Sequence, residues 1–171
     1  PPDPVDQRGL AGFADDLRAG RISIAAATEA YLRRIEALNP RLDAFQHVDG
    51  DRTLAQARAL DALLAAGTDL GPLMGVPVAI KDIFNVDGLT TRAGTAIPSE
   101  LFAGPEATCV TRLREAGALI VGKAVTTEFA YFEPGPTRNP HDVGHTPGGS
   151  SSGSAAAVAA GLATLALGSQ T

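Results

Sequence analysis

Apolar residues recur at helical spacing through the first seventy positions. Ile24, Thr28, Tyr31, Leu32, Ile35 and Leu38 follow Ser23, whose hydroxyl suits a helix N-cap, and Asn39-Pro40 supplies a stop. An earlier helix is predicted over 6–19 with Gly20 at its C-cap. A later one starts after Asp49 and runs to Ala66, with Leu54, Ala57, Leu60 and Leu64 as its buried stripe. Between them, 42–48 reads as a short strand.

The pattern changes after residue 70. Gly71-Pro72 and Gly75 mark turns, and then Val76–Ile80 is a short apolar run with Lys81-Asp82 at its end. Pro77 inside that run marks a strand start or an edge. A Gly- and Thr-rich loop covers 84–105; loops of this length are usually functional or disordered. A helix over 106–116, a strand over 118–122 ending at Lys123, and a short helix or turn at 126–132 follow. A loop over 133–147 leads to Gly148–Ser154, an Ala-rich helix to about Ala160, and a strand over 162–167. Alternating strands and helices imply parallel pairing. The fold class expected is α/β: a mixed, largely parallel sheet with helices on both faces. Residues 1–70 are expected to form a helical cover packed on the start of a core at 71–171.

Composition narrows the function classes. The chain has 171 residues, of which 31 are Ala, and aromatics make up only 5%. Net charge is −5, with no basic stripe for a phosphate backbone, so direct nucleic-acid binding is not expected. No apolar run reaches the roughly 18–20 residues of a membrane span. The single Cys109 excludes an internal disulfide and fits a reducing cytoplasm. The chain starts with Pro1 rather than Met and stops at Thr171 after a strand-like run, which leads us to expect a fragment.

Two segments carry candidate chemistry. In Gly148–Ser154 the glycines let backbone approach a ligand, and helix N-terminal amides favour negative charge. A phosphate cradle would want Gly-Lys-Ser/Thr or G-x-G-x-x-G, and both are missing. A plain N-cap needs one serine, whereas four stand here: Ser150, Ser151, Ser152 and Ser154. The second segment is Lys81. A lysine desolvated at a strand end is a possible general base, and equally a snorkelling surface residue. Lys123 has the same form, and nothing local separates the two. His141 and His145 read as solvated loop histidines, His47 as half-buried packing and Cys109 as a small core residue. Metal-ligand spacing is absent, so no metal site is expected.

Gly71–Asp82 (GPLMGVPVAIKD), Gly122–Phe129 (GKAVTTEF), Pro147–Gly161 (PGGSSSGSAAAVAAG) and Ala166–Thr171 (ALGSQT) together resemble the amidase signature family. The resemblance covers about 71–171 and is highly specific in the Gly/Ser block. It implies hydrolysis of amides by a Ser-cisSer-Lys triad, with no cofactor. Lys81 then matches the general base. Ser150 matches the central serine that follows a cis peptide bond, and Ser151 matches a supporting hydroxyl. Ala130 matches a backbone position lining the substrate pocket, and Thr171 one whose N–H helps form the oxyanion hole. Lys123 matches no catalytic role. The family's nucleophilic serine lies in a Gly-Gly-Ser run directly after the position of Thr171, so these 171 residues alone are expected to be inactive, or a non-catalytic module. Gln170 stands where the amidotransferases that act on charged tRNA usually carry Asp in their glutamine-hydrolysing chain. With His145-Thr146-Pro147 it looks more like the free-standing amidases. A small-molecule amide substrate and a homodimer of the full-length protein complete the expectations.

Overall fold

The computed structural model of the chain describes residues 9–170. Four strands form one sheet in the order β1-β3-β2-β4: β1 (Phe45–Val48), β2 (Pro77–Lys81), β3 (Leu119–Ala124) and β4 (Leu165–Leu167). β2 pairs in parallel with both β3 and β4, and β1 joins antiparallel at the far edge of β3. Five helices surround it: α1 (Gly9–Arg18), α2 (Ile24–Leu42), α3 (Gly50–Ala65), α4 (Thr108–Glu115) and α5 (Ser152–Ala159). The expected class, a mixed and mainly parallel sheet flanked by helices, is what forms.

Both faces are covered. On one, Ala79 of β2 and Val121 and Ala124 of β3 pack against Ile35 and Leu42 of α2 and Ala156 and Ala157 of α5. On the other, Val78, Ile80 and Ile120 pack against Val110 of α4. Burying one such aliphatic side chain contributes about 1.5–3 kcal/mol, so this two-sided burial outweighs local propensity. α1, α2 and α3 share a third cluster around Tyr31, Ala57 and Met74. Pro77 is the first residue of β2, where a missing N–H breaks no ladder within the strand.

Several boundaries differ from the sequence expectation. Asn39-Pro40 does not end α2, which continues through Pro40 to Leu42. The missing amide of Pro40 removes one bond only. In compensation, Leu42 is buried, the Asn39 side chain bonds both Phe45 N and Phe45 O, and Asp43 in left-handed conformation donates to Asn39 O. The last strand is shorter than 162–167, because Leu162 and Ala163 are buried in the turn that precedes it. Lys123 lies within β3 rather than beyond it. His47 is exposed on edge strand β1, where the pairing is irregular between Phe45 and His47. Cys109 is partly exposed at the margin of the α4 cluster. The expected start of the first helix at residues 6–8 lies outside the described residues.

The Gly/Ser block is itself the N-terminus of α5. Its packing explains one glycine: a Cβ on Gly153 would sit 2.3 Å from both Ala44 O and Val125 N. Only a residue without a Cβ brings α5 this close to the backbone just before β1 and just after β3.

Candidate active site

The carboxyl ends of parallel neighbours β2 and β4 converge with the amino end of α5. Ile80 pairs with Leu167, so Lys81 at the end of β2 and Ser169 just past β4 emerge side by side. Open α/β sheets present ligand-binding groups at this end of their strands. Lys81 Nζ donates to Ser150 Oγ at 2.6 Å and to Ser169 Oγ at 2.7 Å. The Gly149–Ser150 peptide bond is cis. Lys81 is fully buried, and burial holds its amine below the ordinary lysine range. Among the described residues no carboxylate forms an ion pair with it.

The four serines have different partners. Ser150 meets Lys81. Ser151 Oγ donates to Ser169 O and accepts from Ser169 N, each at 3.1 Å, so one hydroxyl clamps the backbone of the residue that meets Lys81. Ser152 reaches Val125 O at 3.5 Å, and Ser154 bonds Leu167 O at 3.1 Å. A capping role accounts for none of these: Ser151 makes no side-chain cap bond to the helix it precedes.

Lys123 is equally buried but differently placed. The β2–β3 register slips by one residue, Val78 facing Ile120 and Ala79 facing Gly122. Because side chains alternate, one extra residue reverses the face of everything after it. Lys81 therefore shares a face with Ala124, while Lys123 shares the opposite face with Ile80. There Lys123 Nζ lies 2.8 Å from Asp82 Oδ1, as an ion pair without hydrogen-bond geometry, and donates to Thr91 Oγ1 at 2.7 Å. Burial holds its amine below the ordinary lysine range as well, and the Asp82 carboxylate offsets only part of that.

A cavity of about 390 Å³ opens beside Ser150, lined by Thr127, Tyr131, Phe132, Pro134, Thr146, Gly148 and Gly149. None of these lining residues is charged. Thr127 N donates to Ser150 O at 3.0 Å, which ties the cavity wall to Ser150. Ala130 is buried in the 3-10 turn Glu128–Ala130 and does not line the cavity itself; its neighbour Tyr131 does. Phe129 and Ala130 both have positive φ, 48° and 56°, a conformation that side chains with a Cβ adopt at a cost. Thr171 lies outside the described residues. His145 sits on an exposed loop beside Asp142. No group of three or more His, Cys, Asp and Glu converges to hold a metal among the described residues, and no helix among them is long and apolar enough to cross a membrane.

Ser169 is the site residue that sequence reasoning missed. It stands in the same ALGSQT run that pointed to Gln170 and Thr171. A hydroxyl two residues beyond a strand that neighbours β2 was the available signal.

Comparison with known proteins places the chain in a family. The family profile described as Amidase matches residues 26–171, and the chain belongs to that family. The glutamyl-tRNA(Gln) amidotransferase A-type subunit of Acidothermus cellulolyticus is 47% identical over 96% of this chain and 34% of its own length. Its Thermobifida fusca counterpart is 47% identical over 91% of this chain and 32% of its own length. Among solved structures, native peptide amidase from Stenotrophomonas maltophilia superposes with a TM-score of 0.89 at 38% identity, covering 96% of this chain and 36% of that one. A bacterial aryl acylamidase of the amidase signature family gives 0.82 at 27% identity, covering 94% and 35%. The chain thus spans about a third of the length of the relatives it matches.

Proposed function

We propose that this chain carries the base and the central serine of an amide C–N hydrolase working through a serine acyl-enzyme. The observation that carries the proposal is the buried, carboxylate-free Lys81 amine held between Ser150 Oγ and Ser169 Oγ at 2.6 and 2.7 Å. A neutral amine there takes a proton from Ser150, and Ser150 takes one from the attacking serine hydroxyl. The serine oxygen bonds to the amide carbon, and the tetrahedral oxyanion is met by backbone donors including Thr171 N–H. Return of the proton to the nitrogen releases the amine. Water then repeats the sequence on the ester. The attacking serine is the one the family pattern puts after Thr171, so the 171 residues alone are inactive. Ser151 supports the triad by holding Ser169. Thr127, Tyr131 and the turn that includes Ala130 form the wall of the acyl or amine pocket. Residues 1–70 cover the core begun by 71–171, and the setting is the cytoplasm.

A second reading is favoured by a specific observation, the 47% identity to the tRNA-dependent amidotransferase chains. There the same centre would release ammonia from glutamine inside a complex. The neutral cavity lining and Gln170 favour simple amides instead. Ammonia and amine release by the complete protein, measured on short aliphatic and aryl amides and on glutamine, separates the two. Turnover of simple amides by the protein alone supports the first. Turnover of glutamine that depends on added partner subunits supports the second. Release from neither substrate overturns both.

A further inference from the structure

One buried charged cluster takes no part in the proton path. Asp82 and Lys123 are both wholly buried and pair at 2.8 Å on the sheet face opposite Lys81. Such a pair is weak evidence for stability, because its desolvation offsets its attraction. Its connections point to another use. Asp82 O accepts from Ala93 N and Asp82 Oδ2 from Arg92 N, each at 3.0 Å, while Lys123 Nζ holds Thr91 Oγ1. Thr91 and Arg92 are therefore tied to the side chains of one ion pair, and Ala93 to the backbone of its acidic member.

That short strap passes its position on. Ala93 O accepts from Phe129 N at 2.8 Å. Gly94, at φ +70°, lies so close to the 126–127 backbone that a Cβ would meet Thr126 O at 2.7 Å and Thr127 O at 2.9 Å. Ala93 itself holds a positive φ of 53°, a strained state that persists only where surroundings impose it. Thr127 and Tyr131 then line the cavity, and Thr127 N bonds Ser150 O. From Ala93 onward each link is a backbone contact, so the chain from strap to cavity wall has little slack.

We infer that Asp82, Lys123 and Thr91 are positioning residues that set the substrate pocket wall through the 91–94 strap and the 126–131 turn. The kinetic consequence rests on the amide-hydrolase reading; the structural consequence does not. Lys81 lies on the other face of the sheet, and the 126–127 segment meets Ser150 at its carbonyl rather than at the hydroxyl that Lys81 holds.

The test uses the complete protein with Thr91→Val and with the paired change Asp82→Asn/Lys123→Met. The paired change avoids leaving one charge buried alone. Hydrogen exchange is read by mass spectrometry and turnover on an aryl amide. The amides of Arg92, Ala93 and Phe129 should exchange about tenfold faster or more, with those of β2 and β3 unchanged. KM should rise about 10- to 100-fold while kcat and the midpoint of its acid limb hold, since misplacement at a distance costs binding geometry without altering the base. Lys123→Arg, which keeps a charge and donors, should recover part of the loss. Unchanged exchange at Phe129 overturns the inference, as does faster exchange with unaltered KM. A parent protein without amide turnover defeats the functional reading alone, and exchange at Phe129 still decides the positioning role.

Discussion

Lys81 places an ionisable nitrogen where burial disfavours its charge, and no carboxylate among the described residues repays that burial. Its lowered ionisation has a definite sign. Between the folded value and the ordinary 10.5, the unfolded chain binds more protons than the folded one, so stability rises with pH across that window. Lys81→Met should reduce this rise, leaving the part that buried Lys123 contributes with the same sign, and leave the melting temperature at pH 7 unchanged or higher, measured by calorimetry. The same change should lower turnover of the complete protein by about 10²–10⁴-fold or more. A lysine with a purely structural role predicts the reverse: a lower melting temperature with normal turnover per folded molecule. The rate of the unsubstituted enzyme should climb with pH through the Lys81 ionisation and then level. Because proton-relay groups act as a unit, Ser150→Ala combined with Lys81→Met should lose little beyond the worse single change. Fully additive losses in kcat would count against a shared relay.

The amino end of α5 is the element that assembles the site. Gly153 lets the helix rest on the backbone of Ala44 and Val125, and Ser150 and Ser151 precede its first turn. Gly153→Ala should destabilise the fold by about 1–3 kcal/mol or more, since the obstructing atoms are backbone and cannot swing aside. Denaturant midpoints measure that, and turnover per folded molecule should fall with it. Ser151→Ala frees both the N–H and the C=O of Ser169, so Lys81 loses a fixed partner. Its expected cost is about 1–3 kcal/mol, seen as a reduced kcat, because the orphaned groups are only part-buried. A Ser151→Ala enzyme with unaltered kcat would remove Ser169 from the mechanism. Elements were legible in the sequence where one signal dominated: Ser23 and Asp49 cap α2 and α3 as their positions predict. Pro40 misled because its local penalty is smaller than the burial of Leu42 and the two Asn39–Phe45 bonds, none of which a local pattern contains.

At the scale of the whole molecule, the described part of the first seventy residues enters both a core cluster and the sheet. α1, α2 and α3 share a core with Met74 and Leu119, and β1 joins the sheet. At the other side, β4 pairs with β2 and with no further strand among the described residues, and its three residues are only partly buried. Unpaired strand edges recruit partners. The 171 residues made alone should therefore self-associate, as seen by sedimentation, and release no amine from any amide tested. A monomer that melts cooperatively and turns over an amide would contradict both expectations.

The alternation of strand and helix, the caps, and the Gly/Ser block with its strand lysine were determined by sequence, because each depends on residues near one another in the chain. Which lysine meets the serines was a different matter. Lys81 and Lys123 follow indistinguishable apolar runs, and the family resemblance chose between them without giving a cause. The cause is tertiary: one residue of slip between β2 and β3 turns the two side chains to opposite faces of the sheet. One amine then meets Ser150 and Ser169, and the other meets Asp82 and Thr91. Register depends on how two strands pair across some forty residues of intervening chain, and no local window of sequence contains it.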